Sequence, residues 1–241
     1  MTQEILFISD LHLALDKPEI TLRFLNFLKN RAPEASALYI LGDLFDAWIG
    51  DDDPTPPNFK IRNHLKQLIQ SGTEVYFQPG NRDFLLGKRF CLETGITLLN
   101  DYVVIDLMGS ATLITHGDLL CTDDLAYQAF RIKSHTIEWQ QNVLSKPLLI
   151  RLLAARWYRF RSYLHKRKKS QSIMDVNQET VVRVMQEHGC LRLIHGHTHR
   201  PNTHNFLINN QAAQRFVLSA WSKDAGEVLC WNSEGYKIEV L

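Results

Sequence analysis

The chain is short of everything that would tie it to an oxidising compartment, a bilayer core or a polyanion. Its 241 residues hold four cysteines, Cys91, Cys121, Cys190 and Cys230, with no CxxC pair among them. That spacing argues against structural zinc and an iron–sulfur cluster, and reads as reduced, buried thiols. The formal net charge is only +1. No global field therefore draws the protein to nucleic acid, and any attraction to an anion has to come from a local patch. No apolar run reaches the roughly 20 residues that span a bilayer. The opening MTQEILFISD lacks the basic start of a secretory signal. The expectation is a cytoplasmic protein. Internal repeats and low-complexity segments are missing as well.

What is present is a soluble, core-forming composition, 45% hydrophobic and 22% charged, which suits one domain over residues 1–241. Short apolar runs alternate with segments of helical spacing. Ile5–Ser9, Ala37–Leu41 and Glu74–Gln78 read as buried strands, and Ile20–Asn30, Phe59–Gln70 and Gln178–His188 as helices. Tyr102–Leu107 and Ala111–Thr115 read as a strand pair around Met108-Gly109. Leu191–Ile194 reads as another strand. Phe216–Ala220 and Val228–Trp231 read as later strands joined by a Gly-containing turn. Strand, polar tip and helix in repetition mean a layered α/β sheet, with sites at the carboxyl ends of the strands.

Residues 123–172 break this rhythm. No acidic residue lies between Glu138 and Asp175, while Arg151, Arg156, Arg159, Arg161, Lys166, Arg167, Lys168 and Lys169 crowd a short stretch. Leu152, Leu153, Trp157, Tyr158, Phe160, Tyr163 and Leu164 interleave with them. A solvated helix face mixes charge signs, and this one does not. The segment reads as a basic amphipathic helical insertion, with Trp157, Phe160 and Leu164 on one apolar stripe.

The strand ends carry the chemistry. In order they are Asp10-Leu11-His12, Gly42-Asp43, Gly80-Asn81-Arg82-Asp83, His116-Gly117-Asp118 and Gly196-His197-Thr198-His199. Each alone is weak; five in succession, each after an apolar run, point to a metal site. Carboxylate, amide and imidazole donors without thiolate admit Mn²⁺, Fe²⁺, Co²⁺ or Zn²⁺. Seven such donors exceed one ordinary coordination sphere and suit two ions sharing a carboxylate, an arrangement that serves in-line displacement at phosphorus. Gly50–Asp53, GDDD, reads as a solvated loop before Pro54 rather than a third metal site.

The set D-x-H, GD, GNRD, H and GH-x-H resembles the calcineurin-like metallophosphoesterases. That resemblance implies a four-layer sandwich of two mixed β-sheets flanked by helices, here with a helical lid at 123–172. It implies one ion held by Asp10, His12, Asp43 and His199, and another by Asp43, Asn81, His116 and His197, with Asp43 bridging. His195 falls outside this pattern and reads as a support for the ligands; Arg200 has no assigned role, and His204 reads as a surface residue. ISDLHL, YILGDLFDAWIGDDD, GNRDFLLGKRF, HGDLLCTDDLAYQAFR, SIMDVNQ and HGHTHRP resemble a narrower family, the pyrophosphohydrolases acting on UDP-2,3-diacylglucosamine in lipid A synthesis. The match is weakest over the last 40 or so residues.

By that resemblance, two divalent ions, usually Mn²⁺, assist water attack on the α-phosphorus, giving UMP and 2,3-diacylglucosamine 1-phosphate. Asp43, Asn81 and Arg82 would be catalytic. Asn81, Arg82, Asp124, Ser162, Lys166, Lys169 and His197 would contact substrate. The family pattern has Asn where this chain has Lys166, and an ammonium cannot copy an amide's paired donor and acceptor. The expected partners are the lipid nucleotide and the anionic cytoplasmic face of the inner membrane, with no nucleic acid and no protein partner. The alternative is a phosphodiesterase of the same fold using its basic insertion on nucleic acid or cyclic nucleotides, which the near-zero net charge disfavours.

Overall fold

The structure is a computed structural model describing residues 4–166 and 175–241, with residues 160–166 described as helix only. Four strands are parallel neighbours: β1 (Ile5–Ile8), β2 (Ala37–Leu41), β3 (Glu74–Gln78) and the two-residue β4 (Thr97–Leu98). A second sheet is built on β5 (Val103–Asp106), β6 (Ala111–Thr115), β7 (Arg192–His195), β8 (Asn202–Ile208) and β9 (Gln211–Val217). The chain then returns to the first sheet with β10 (Glu227–Asn232) and β11 (Gly235–Val240). The strand orders are β11-β10-β1-β2-β3-β4 and β5-β6-β7-β9-β8. Antiparallel β10 and β11 on one sheet, and β5 and β8 on the other, make both mixed.

Side-chain alternation explains the layering. On β1 and β2, Leu6, Ile8, Leu38 and Ile40 face a core shared with α1 (Pro18–Asn30), α2 (Asn58–Gln70) and α3 (Lys88–Thr94). Their neighbours Phe7, Tyr39 and Leu41 face the other way and meet Ile114, Ile194 and Phe216 between the sheets. Leu113 and Leu193 point outward again, onto α7 (Gln178–Glu187) through Val181, Val184 and Met185. This is the expected four-layer sandwich.

The insertion is helical as expected, and among the described residues it comprises α4 (Leu125–Ser134), α5 (Ile137–Leu144) and α6 (Leu148–Lys166). Asp124 caps α4 by accepting from the Tyr127 amide at 3.1 Å, and Thr136 caps α5.

The sequence reading of the C-terminal strands needs correction. Phe216 lies near the end of a strand that runs from Gln211 to Val217, and β9 and β10 belong to different sheets rather than to one turn-linked pair. The hairpin partner of β9 is β8, reached through Asn209-Asn210, both at positive φ (50° and 64°) as a tight two-residue hairpin turn requires.

Candidate metal centre and its cleft

The five polar tips converge because they follow β1, β2, β3, β6 and β7, whose carboxyl ends all open on one edge of the sandwich. Beyond the strands the backbone turns sharply. Asp10, His12, Asp43, His197 and His199 all adopt left-handed conformations, with φ of 56°, 50°, 54°, 68° and 56°. Such residues cost about 1–3 kcal/mol each and persist only where the surroundings over-determine them. Here the Asp10 amide donates to Gly42 O at 3.0 Å and the His12 amide to Asp43 O at 2.9 Å. The His197 amide donates to Asp10 Oδ2 at 2.8 Å, and the Arg82 amide to Asp43 Oδ1 at 2.8 Å. Two of the motif glycines, Gly80 and Gly196, leave room for a neighbour's carboxylate. A Cβ on Gly80 would lie 2.3 Å from Asp43 Oδ1, and one on Gly196 would lie 2.4 Å from Asp10 Oδ2.

Two donor clusters result. In the first, His199 Nε2 lies 3.2 Å from both Asp10 Oδ1 and His12 Nε2. In the second, Asn81 Oδ1, His116 Nε2 and His197 Nδ1 form a triangle with edges of 2.9, 3.2 and 3.2 Å. Asp43 stands between them, Oδ2 at 3.8 Å from His12 Nδ1 and Oδ1 at 3.8 Å from His116 Nε2. Donors held about 2.1 Å from one ion at right angles sit about 3.0 Å apart, so these edges fit coordination spheres. His116 Nδ1–H donates to Leu41 O at 2.8 Å, which turns the Nε2 lone pair toward Asn81 and His197. His12 Nδ1 is buried with no hydrogen-bond partner.

The electrostatics also ask for cations. Burial pushes the Asp43 carboxyl up to about 8, with the Asp83 and Asp10 charges adding to it. Burial alone would lower the His116 imidazole, but Asp43, Asp10 and Asp118 raise it to about 9. Asp10 is desolvated too, yet the His199 hydrogen bond and the neighbouring imidazoles hold it well below the usual carboxylate range. Protons thus occupy the Asp43–His116 pair near neutrality where a divalent ion would otherwise sit. We expect metal loading at pH 7 to release protons, and apparent affinity to strengthen as pH rises through about 8 and about 9. Calorimetric titration in two buffers of different ionisation enthalpy measures this; equal heats in both would refute it.

The other residues of the motifs hold the donors in place. Asp83 is fully buried and accepts from the backbone amides of Gly80, Asp43 and Phe45 at 2.8, 3.3 and 3.2 Å, joining two ligand loops. The neighbouring Arg82 is tied through its backbone, its amide donating to Asp43 Oδ1 and its carbonyl accepting from the Trp48 amide. His195 is fully buried behind the clusters: Nδ1 bonds Gly196 O at 2.9 Å, and Nε2 accepts from Arg215 Nη1 at 3.2 Å. Burial and the Arg215 charge lower its imidazole to about 3, so it is neutral. His195→Gln should keep metal stoichiometry and lose activity by about 10–100-fold, whereas His197→Gln and His199→Gln should lose far more. Metal analysis alongside rates checks this, and loss of metal in all three variants would overturn the ranking. Arg200 pairs with Asp175 at 2.6 Å. His204 is half-buried on the edge strand β8.

GDDD is neither a metal cluster nor a merely solvated loop. Asp51 accepts from Trp48 Nε1 and from the Gly87 and Phe90 amides at the start of α3. Asp52 pairs with Arg151, and Asp53 is buried against Thr55 and Asn58. The basic insertion is corrected in the same way. Arg151 is 5% exposed and also donates to Ile49 O, while Arg159 pairs with Asp46. Two of its arginines therefore fasten α6 to the core. Lys169 lies outside the described residues, as do the side chains of Phe160, Ser162, Leu164 and Lys166.

Between insertion and core runs an apolar cleft of about 260 Å³. Trp48, Phe84 and Leu85 stand on the core wall and Phe130, Trp139, Val143 and Tyr158 on the insertion wall; Asn81, Arg82 and the anchoring Arg151 and Arg159 are among the polar residues of the lining. The cleft therefore abuts the second donor cluster.

The sequence profile of the calcineurin-like phosphoesterases matches residues 4–201. UDP-2,3-diacylglucosamine hydrolase of Aliivibrio fischeri is 50% identical, over 97% of this chain and 97% of its own. The enzymes of that name from an Enterobacter species and from Escherichia coli K12 are 51% and 52% identical, covering 97% and 92% of this chain and 97% and 93% of theirs. Sharing half of all positions along nearly the whole of both chains is a level at which fold and chemistry are held in common: the chain belongs to the calcineurin-like phosphoesterase family and is a metal-dependent hydrolase.

Proposed function

We propose that the chain hydrolyses the pyrophosphate of UDP-2,3-diacylglucosamine, releasing UMP and 2,3-diacylglucosamine 1-phosphate. The observation that supports this reading is the apolar cleft abutting the second donor cluster, which offers a lipid chain and a phosphate neighbouring places. Relatives at about half identity bear the corresponding name.

The donor set fits two divalent ions, Mn²⁺ by resemblance, one at Asp10, His12, Asp43 and His199, the other at Asp43, Asn81, His116 and His197. Bound there, they would supply positive charge to the phosphoryl oxygens and lower the pKa of water. The chain's residues do the rest. Asp43 shares its two oxygens between the clusters, and Asn81 and His197 hold the second. Arg82, at the mouth of the cleft, is placed to pair with a phosphate oxygen. Water adds to the α-phosphorus, the bond to the bridging oxygen breaks, and that oxygen leaves on the sugar phosphate. Asp124, Ser162, Lys166 and Lys169 complete the substrate contacts in this reading.

The insertion over 123–172 acts as a lid, with Phe130, Trp139 and Tyr158 against an acyl chain. It also exposes Leu125, Ile132, Ile137, Leu149 and Leu153, each more than half exposed. Apolar area of this kind beside cationic residues suits the anionic cytoplasmic surface of the inner membrane. No helix among the described residues is long and apolar enough to cross a bilayer. A nucleic-acid substrate fits less well, since Arg151 and Arg159 are already engaged with carboxylates.

Incubation with UDP-2,3-diacylglucosamine and Mn²⁺ in ¹⁸O-water, followed by mass spectrometry, tests the proposal. The expected products are labelled UMP and unlabelled lipid monophosphate. Label in the lipid product would move the attack to the β-phosphorus, and an absence of turnover would remove the substrate assignment.

A further inference from the structure

We propose that Asp118, Tyr127 and Arg131 form a clamp that sets the apolar cleft in register with the second donor cluster, making Arg131 a positioning residue for the acyl half of the substrate. This rests on the substrate reading above.

Asp118 lies two residues beyond His116, at the same strand end, and is 3% exposed. Its Oδ2 accepts from Arg131 Nε at 2.6 Å and from the Tyr127 hydroxyl at 2.5 Å. Arg131, itself 8% exposed, uses Nη2 to reach Asp101 Oδ1 at 2.7 Å. Between them on α4, Gln128 donates to the carbonyls of Asp118 and Cys121 at 2.8 and 3.1 Å. One face of α4 is therefore fastened to the tip of β6, the strand that delivers His116. The Tyr127 ring lies 6.2 Å from the His197 ring, so the clamp also runs beside the second cluster.

The adjoining face of α4 builds the cleft. Phe130 lines it, stacks on Tyr158 at 4.8 Å, and meets the edge of Trp139 at 6.1 Å. Consecutive helical residues are about 100° apart around the axis, and the helix turns as a rigid body. A rotation that frees Arg131 from Asp118 therefore carries Phe130, and with it the cleft wall, away from Asn81 and Arg82. A guanidinium and carboxylate buried together resist that rotation, because separating them strands two charges out of water. In this account Asp118 contributes orientation, with its carboxylate turned to α4 donors rather than into either cluster.

The test uses the full-length, metal-loaded protein and two variants, Arg131→Gln and the charge-conserving Arg131→Lys. Steady-state kinetics are compared for UDP-2,3-diacylglucosamine with long and with short acyl chains. Metal content and hydrogen exchange are measured in parallel. Arg131→Gln should keep two ions per chain and lower kcat/KM for the long-chain substrate on the order of a hundredfold, the scale of a misplacement remote from the chemistry. The loss should fall mainly on KM and be much smaller for short chains. Arg131→Lys should recover part of it. Amides of α4 should exchange at least about tenfold faster in Arg131→Gln while those of β6 and β7 do not. Equal loss for long and short chains, or loss of metal along with activity, would overturn the clamp. If wild type itself leaves the lipid nucleotide intact, the substrate reading falls separately, and unchanged exchange in α4 would then sink the clamp by itself.

Discussion

Asp43→Ala is expected to lose both metal ions and essentially all turnover while the sandwich stays folded. Asp43 is the side chain whose two oxygens face different clusters, at 3.8 Å from His12 Nδ1 and from His116 Nε2. Its removal takes a donor from each. Metal charge stabilisation supplies several kcal/mol, and each 1.36 kcal/mol is tenfold in rate, so the fall should be on the order of a thousandfold or more. Stability should move the other way. Burial lifts the Asp43 carboxyl from 3.8 to about 8, so its contribution to folding is fully present below 3.8 and is lost progressively as pH climbs from there through about 8. At pH 7 the metal-free wild type already carries this cost. Metal-free Asp43→Ala should therefore melt no lower than metal-free wild type, despite losing the Arg82 amide bond. Metal analysis, rates and melting with and without metal read all three effects. A variant retaining two ions and a near-normal rate would end the dinuclear assignment.

Gly80→Ala should be nearly as damaging, for a steric reason. The added methyl would stand 2.3 Å from Asp43 Oδ1 and 2.4 Å from the Asp43 amide nitrogen. The second contact is backbone, so no rotamer change relieves it. Overpacking of this kind costs about 1–3 kcal/mol. Displacing Asp43 by an ångström should lower kcat roughly a hundredfold. Gly189→Ala is the control: Gly189 has φ of 65° but open space around it, so alanine there should cost stability and spare activity. Wild-type kinetics in Gly80→Ala would show that the loop can shift without harm, and that the motif glycine serves some other purpose.

These two positions also mark what sequence could and could not disclose. β1 and β2 were legible because strands buried on both faces are continuous apolar runs, and β3 by its Val75-Tyr76-Phe77 centre. The donors were legible because Asp, Asn and His at strand ends have few structural uses in such numbers. β8 and β11 were not legible: they are exposed edge strands, with Asn, Thr, Lys and Glu where a core strand would be apolar. Nor was the clamping of the insertion. Arg151 and Asp52 are 99 positions apart, and Arg159 and Asp46 are equally remote, so nothing local separates a buried anchor from a free cation. The basic stretch advertised its charge and concealed that part of it was already neutralised. Asp83 was hidden beside a conspicuous Arg82, because its partners are backbone amides that carry no sequence signature.

The two sheets contribute to each cluster. Asp10, His12, Asp43 and Asn81 come from ends of the first sheet, and His116, His197 and His199 from ends of the second. Neither sheet alone presents a full set of donors: Ile5 pairs with Ala37 in one sheet and Thr112 with Arg192 in the other, and both pairings must form before the tips meet. An ion therefore has no template on a nascent chain and cannot nucleate this fold. It arrives last, as a rivet through two plates already aligned, and any preference among metals is exercised by the finished molecule, at whatever concentrations it meets after synthesis is complete.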